Sequence, residues 1–159
     1  MFNNVYKDKV VLITGNTGFK GSWLSMWLVH MGARVIGVSD SELSSPSNFS
    51  VSSVSSVIED YRYDVTDSES IKNLIVKVQP DFIFHLAAQA LVRLSYENPV
   101  ETIITNSIGS VNVLNALRSI DKKVVTIMIT SDKAYDNVEW VWGYKETDRL
   151  GGKDPYSAS

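Results

Sequence analysis

The sequence predicts an α/β fold with a doubly wound parallel sheet, on three observations. Short β-branched runs alternate with longer segments of helical periodicity. The runs are apolar at consecutive positions, as strands covered on both faces are. A glycine-rich turn, Gly15-Asn16-Thr17-Gly18-Phe19-Lys20-Gly21, joins the first run to the first helical segment. Short right-handed connections then give an expected strand order of 3-2-1-4-5.

Each element has its own signal. Val10 to Ile13 is the first buried strand. Trp23, Leu24, Trp27, Leu28 and Met31 recur at helical spacing, and Gly32 suits the end of that helix. Arg34 to Val38 reads as strand two. Residues 39–56 are rich in serine and read mostly as loop. Val57 to Tyr63 is a weak third strand, and Asp67 caps a helix from Ser68 to Val78. Phe82 to Leu86 is strand four. Ile103, Ile104, Ile108, Val111, Leu114 and Leu117 form the apolar stripe of a long helix ending near Ser119. Val124 to Ile129 has the pattern of a central parallel strand. Residues 131–155 hold no clear regular element, and a long loop past the carboxyl end of a strand marks a ligand site in open α/β sheets. Asp154-Pro155 begins a final helical turn.

Bulk properties narrow the function. A chain of 159 residues is about one domain, and 44% hydrophobic with 21% charged residues is ordinary for a globular one. A net charge of −3 gives no basic surface for nucleic acid or an anionic membrane. The absence of cysteine excludes a disulfide scaffold and thiolate metal sites, and no metal is expected. Met1-Phe2-Asn3-Asn4 has no basic patch before an apolar core, and no apolar run approaches a membrane span, so the cytoplasm is expected.

Within the glycine-rich turn, Gly15, Gly18 and Gly21 permit tight backbone, and Thr17, Phe19 and Lys20 fill the positions between. The following helix N-terminus offers free N–H groups to a pyrophosphate. Asp40 follows strand two where an acid holds a ribose 2′-hydroxyl, which favours NAD over NADP. Asp64 suits an adenine contact or a turn cap. His85-Leu86-Ala87-Ala88-Gln89 closes strand four with small residues that let a cofactor approach, and His85 reads as a structural core residue. Thr130-Ser131-Asp132-Lys133 closes strand five with a hydroxyl, a carboxyl and an amine, suited to proton transfer or simply to loop polarity and capping.

Together these residues resemble the extended short-chain dehydrogenase/reductase family, with its Rossmann-like sheet. The marks are Thr14-Gly15-x-x-Gly18-x-x-Gly21, His85-Leu86-Ala87-Ala88, Asn106, Ser131 and Tyr156 of a Tyr-x-x-x-Lys pair. Gly18 to Leu24, Ala88 to Tyr96, Ser131-Asp132-Lys133 and Glu139-Trp140-Val141-Trp142-Gly143-Tyr144 resemble its CDP-glucose 4,6-dehydratase branch. Most sugar-nucleotide 4,6-dehydratases have glutamate at the Lys133 position. The resemblance implies bound NAD, with Ala87, Ala88, Gln89 and Asn106 among its contacts, and CDP-glucose as substrate with Arg93 against it. Tyr156, aided by Ser131, would take the carbon 4 hydroxyl proton. Asp132 would protonate the leaving hydroxyl, and Lys133 would remove the carbon 5 proton. Lysine must shed its own proton for that task, which burial or a nearby cation favours.

The resemblance also sets expectations of extent. Residues 1–159 match an NAD-binding domain incomplete at its C-terminus, without the sugar-nucleotide-binding part or the paired lysine beyond Ser159. The full-length parent is expected to be a homo-oligomer making deoxy-sugar precursors of surface polysaccharide, and the 159-residue chain alone to be inactive. Two other readings stand beside it: another dehydratase or epimerase of the same family, and a catalytically inactive dinucleotide-binding fragment.

Overall fold

The computed structural model describes residues 2–42 and 44–159; position 43, within the serine-rich stretch, lies outside the described residues. Five strands, β1 (Val10–Thr14), β2 (Arg34–Val38), β3 (Glu59–Tyr61), β4 (Phe82–His85) and β5 (Val125–Met128), form one sheet. They pair in parallel in the order β3-β2-β1-β4-β5, as expected. Thr14 stands opposite both Val38 and His85, so the carboxyl ends of three strands share one edge.

The pleat of β1 divides the core. Leu12 faces a cluster with Ile36, Val38, Ile71, Ile75, Ile83 and Val113. Val11 and Ile13 face the other way, with Val35 and Leu28. Helix α1 (Phe19–His30) covers that second face. Helix α3 (Ser68–Val78), capped by Asp67 accepting from the Ser70 amide at 3.1 Å, covers the first with α6 (Gly109–Ala116). The serine-rich stretch holds a short helix, α2 (Asn48–Val51), opened by a reciprocal Ser47–Ser50 capping box, and a 3-10 turn, Val54–Ser56. An additional helix, α4 (Val92–Glu97), precedes α5 (Pro99–Ile103). A π-helical turn over Ile104–Ile108 joins α5 to α6, so the long helix expected here carries a widened turn.

Two expected helix faces are corrected. Trp23 and Trp27 lie exposed on α1, which buries Leu28 as expected but otherwise Gly21, Ser22 and Ser25. Ile103, Ile104, Ile108, Val111 and Leu114 are likewise exposed, while Gly109, Val113 and Ala116 face the core. Close approach is the cause. A Cβ on Gly109 would stand 2.7 Å from Val65 Cγ2, so the seam beside the β3–α3 connection admits only small residues. Strand β5 has the apolar pattern of a central strand, but among the described residues it pairs with β4 alone, as the expected order places it, and Val125 is 54% exposed.

Candidate functional site

The shared carboxyl edge opens into adjoining cavities, and the glycine-rich turn forms the wall between two of them. Gly15 has φ +73° and donates its N–H to the Val38 carbonyl at 2.8 Å, fixing the turn to β2. Gly18 caps α1 without a side-chain hydrogen bond, so the first-turn amides are left to a ligand. The turn is pinned from beneath by Asn16, which is fully buried. Its Nδ2 donates to Asp60 at 2.8 Å, and its Oδ1 accepts from the Ser39 hydroxyl at 2.9 Å. Gly37 makes room for it, since a Cβ there would overlap the Asn16 amide. Asp60 is held in turn by Arg62 at 2.8 Å.

On one side of the turn, Gly15, Thr17, Gly18, Asp40, Tyr63, Asp64, Ala87, Ala88 and Gln89 line a cavity of about 280 Å³. Asp40 accepts from the Ser41 amide at 2.7 Å. Asp64 accepts from the Thr66 amide at 2.8 Å, so the turn-capping alternative is realised in a residue that also lines the cavity. On the other side, Gly18, Phe19, Lys20, Gly21, Ala88, Asn106, Ser131 and Tyr156 line a cavity of about 480 Å³. Thus most residues singled out in the sequence line two adjoining cavities that share Gly15, Gly18, Ala87 and Ala88 and together make a crevice. Glycines where a Cβ would collide, free helix-turn amides and a carboxylate at the β2 end fit a dinucleotide. A third cavity, also about 480 Å³, adjoins the first through Asp64, Glu101 and Thr105.

Three predicted residues, Asp132, Lys133 and Arg93, lie outside these linings. Asp132 and Lys133 are exposed on a 3-10 turn, but between Ser131 and Ala134, which both face the larger cavity. Arg93 is exposed on α4 and pairs with Glu97 at 3.4 Å. Tyr156 sits in a capped turn: Asp154 accepts from the Ser157 amide at 2.9 Å and its hydroxyl at 2.7 Å. Those bonds, the hydroxyl's first, hold the Asp154 carboxyl below the usual carboxylate range. His85 is 3% exposed, and burial pushes its imidazole down to about 4. Sequence reasoning missed Asn16 and Ser39, whose partners are 44 and 23 positions away, and Ser110, whose one local signal is its place one turn after Asn106. Among the described residues no group of three histidine, aspartate or glutamate side chains is placed to hold a metal.

Comparison with known proteins decides the family. The family model described as GDP-mannose 4,6 dehydratase matches residues 12–159. The chain belongs to this dehydratase family. It is 47% identical over 156 residues to a CDP-glucose 4,6-dehydratase of Salmonella typhimurium, covering 98% of this chain and 44% of that protein. It is 29% identical to a GDP-mannose 4,6-dehydratase of Vibrio cholerae, across 95% of this chain and 42% of that one. The chain therefore spans less than half the length of these curated relatives. Among solved structures, the UDP-glucose 4-epimerase of Thermus thermophilus in complex with NAD superposes with TM-score 0.77 at 29% identity. That match covers 94% of this chain and 46% of the epimerase. The Thermotoga maritima UDP-glucose 4-epimerase with UDP-glucose gives 0.79 at 30% identity, over 94% and 47%. The expected extended short-chain dehydrogenase/reductase fold and family hold.

Proposed function

We propose that the protein carrying this chain is an NAD-dependent sugar-nucleotide 4,6-dehydratase acting on CDP-glucose. One observation carries the reading: 47% identity to a CDP-glucose 4,6-dehydratase runs across 98% of the chain, including the crevice. Residues 1–159 supply its dinucleotide-binding part. When bound, NAD would supply the hydride acceptor for oxidation at carbon 4 and the hydride donor for reduction at carbon 6. Gly15, Gly18 and Gly21 seat the pyrophosphate against α1, and Asp40 takes the adenosine ribose. In the larger cavity, Tyr156 removes the carbon 4 hydroxyl proton with Ser131 hydrogen-bonded to the same oxygen. Asp132 protonates the hydroxyl leaving carbon 6, and Lys133 takes the carbon 5 proton. Arg93 is assigned to the sugar nucleotide, and the whole protein is a homo-oligomer. The exposed apolar residues Val100, Ile103, Ile104, Ile108, Val111 and Leu114 support that assembly.

The test is to incubate the whole protein with NAD⁺ and CDP-glucose and weigh the products. Catalytic loss of one water from the sugar nucleotide is the expected result. A product of unchanged mass with inverted stereochemistry would favour an epimerase, and no product would refute the reading. In the same protein, Lys133→Ala is expected to lower dehydration about 100-fold or more and to suppress exchange of the carbon 5 hydrogen with solvent. Asp132→Asn is expected to spare that exchange while slowing water loss. Wild-type turnover in either variant removes that residue from the mechanism.

Cofactor choice gives a separate prediction. A 2′-phosphate beside the Asp40 carboxylate sets like charges against each other, so NAD(H) should bind at least about tenfold more tightly than NADP(H). Titration of both into wild type and Asp40→Ala checks it. The variant should lose the preference, and an unchanged preference would place the ribose elsewhere.

A further inference from the structure

We propose that His85 is a positioning residue for the crevice, holding the pyrophosphate turn and the tyrosine turn in fixed relation through a hydrogen-bond chain of defined polarity. The inference rests on the reading of the crevice as a dinucleotide site.

The polarity follows from donor counting. Thr14 Oγ1 accepts from the Ala87 amide at 3.1 Å and from the Leu86 amide at 3.1 Å, the latter N–H being shared with the Thr14 carbonyl. Two acceptances fill its lone pairs, so its proton goes to His85 Nδ1 at 2.7 Å. A neutral imidazole accepting at Nδ1 carries its proton on Nε2. That N–H donates to Ser110 Oγ at 3.1 Å. Ser110 then donates to the Asn106 carbonyl at 2.6 Å. Asn106 lies inside the π-helical turn, and its side chain continues the chain. Its Nδ2 donates to Ser159 Oγ at 2.7 Å, and the Ser159 hydroxyl donates to the Tyr156 carbonyl at 2.8 Å. Each hydroxyl and imidazole proton in the series has one acceptor, from the residue before Gly15 to the backbone of Tyr156.

The chain has a second branch at the crevice wall. Asn106 Oδ1 accepts from the Gln89 amide at 2.8 Å, and its Nδ2 also donates to the Gln89 carbonyl at 3.1 Å. The wall segment from Leu86 to Gln89 is thus fixed at one end by Thr14 and at the other by Asn106. His85 is the link between those two anchors. Thr14 is fully buried and His85 nearly so, so the Thr14–His85 bond is shielded from bulk solvent, while the bond to the half-buried Ser110 lies at the edge of the larger cavity. A buried network of this kind specifies one arrangement only while every member is satisfied.

Two measurements test the proposal on the whole protein. The first is the His85 tautomer, read by long-range proton–nitrogen NMR of histidine-labelled protein. Within this chain the other histidine is the exposed His30, and His30→Gln separates the signals. A neutral ring protonated at Nε2 is expected; a proton on Nδ1 would overturn the polarity. The second is NAD⁺ affinity in a double-mutant cycle. His85→Asn can keep an acceptor toward Thr14 while losing the donor toward Ser110, and Ser110→Ala cuts the same link from the other side. Each is expected to weaken NAD⁺ binding about tenfold, the double variant no further, and Ser110→Thr is expected to restore wild-type affinity. If His85→Asn does not fold, Ser110→Ala against Ser110→Thr decides alone. Wild-type affinity in Ser110→Ala, or equal loss in Ser110→Thr, overturns the proposal while leaving the dinucleotide reading intact. Failure of wild-type protein to bind NAD⁺ refutes both.

Discussion

Gly21→Ala is expected to abolish measurable NAD⁺ binding and to destabilise the fold by about 3 kcal/mol. The added methyl would overlap the Gly15 carbonyl oxygen and stand 2.8 Å from Asn16 Cα and from the Gly15 carbonyl carbon. All three are backbone atoms, so no rotamer change relieves the collision. Moving Gly15 is blocked on its far side. A Cβ on Gly15 would already stand 2.8 Å from the Ala87 amide nitrogen, which shows how closely the two strands' ends approach. The turn must therefore open, and the first-turn amides of α1 lose their aim at the pyrophosphate. Gly143→Ala is the control. A Cβ there meets nothing within 4 Å, and both affinity and stability should match wild type. Denaturant unfolding and NAD⁺ titration of the two variants read the difference, and a Gly21→Ala protein with wild-type values would remove the turn from the site.

The second large effect is in mild acid. The ordinary histidine value of 6.5 falls to about 4 for His85 because burial disfavours the charged ring. Between those values the unfolded chain binds a proton that the folded one does not. Stability is therefore complete above pH 6.5 and declines as pH falls toward about 4, by on the order of 3 kcal/mol in total. Carboxylates act in a different window. Asp81 is held low first by the Val10 amide, Asp67 and Asp154 by serine hydroxyls, all from an ordinary value of 3.8, so their contributions are lost at lower pH. Denaturant midpoints measured from pH 7 to pH 4 should fall for wild type and stay nearly level for His85→Asn. A variant that keeps the wild-type slope would place the titrating group elsewhere.

Much of the fold was legible because sheet order depends on signals that are local in sequence. Runs such as Val10 to Ile13 and Arg34 to Val38 declare buried strands, and the turn from Gly15 to Gly21 marks where β1 ends. Asp67 announced its helix through one side chain. Helix faces were less legible, because large apolar residues suggest burial wherever they fall. On α1 the backbone of the glycine turn approaches closely enough that only Gly21 fits there, Ser25 follows one turn later on the same face, and the tryptophans go outward. On α6 the same steric logic puts Gly109 and Ala116 inside. The π-helical turn gave no signal, since no residue type or spacing in Ile104–Ile108 marks a helix that widens for one turn. The candidate site was legible where it is made of backbone, as in the glycine turn and the Ala87-Ala88 wall. It was hidden where it depends on pairs far apart in the chain, such as His85 with Ser110 or Asn16 with Asp60. Reading His85 as a satisfied core residue agrees with its two partners, but its place between the two turns emerged only from the fold.

The central claim is that a dinucleotide lies along the carboxyl edge of β1, β2 and β4, with its adenosine toward Asp40 and Asp64. The most direct test is backbone amide NMR during titration with NAD⁺. Shifts should concentrate at Gly15 to Gly21, Asp40, Asp64 and Ala87 to Gln89. They should be absent at Asp81, which accepts from the Val10 amide at the opposite edge of the sheet. Shifts centred on that opposite edge, or none at saturating NAD⁺, would contradict the account.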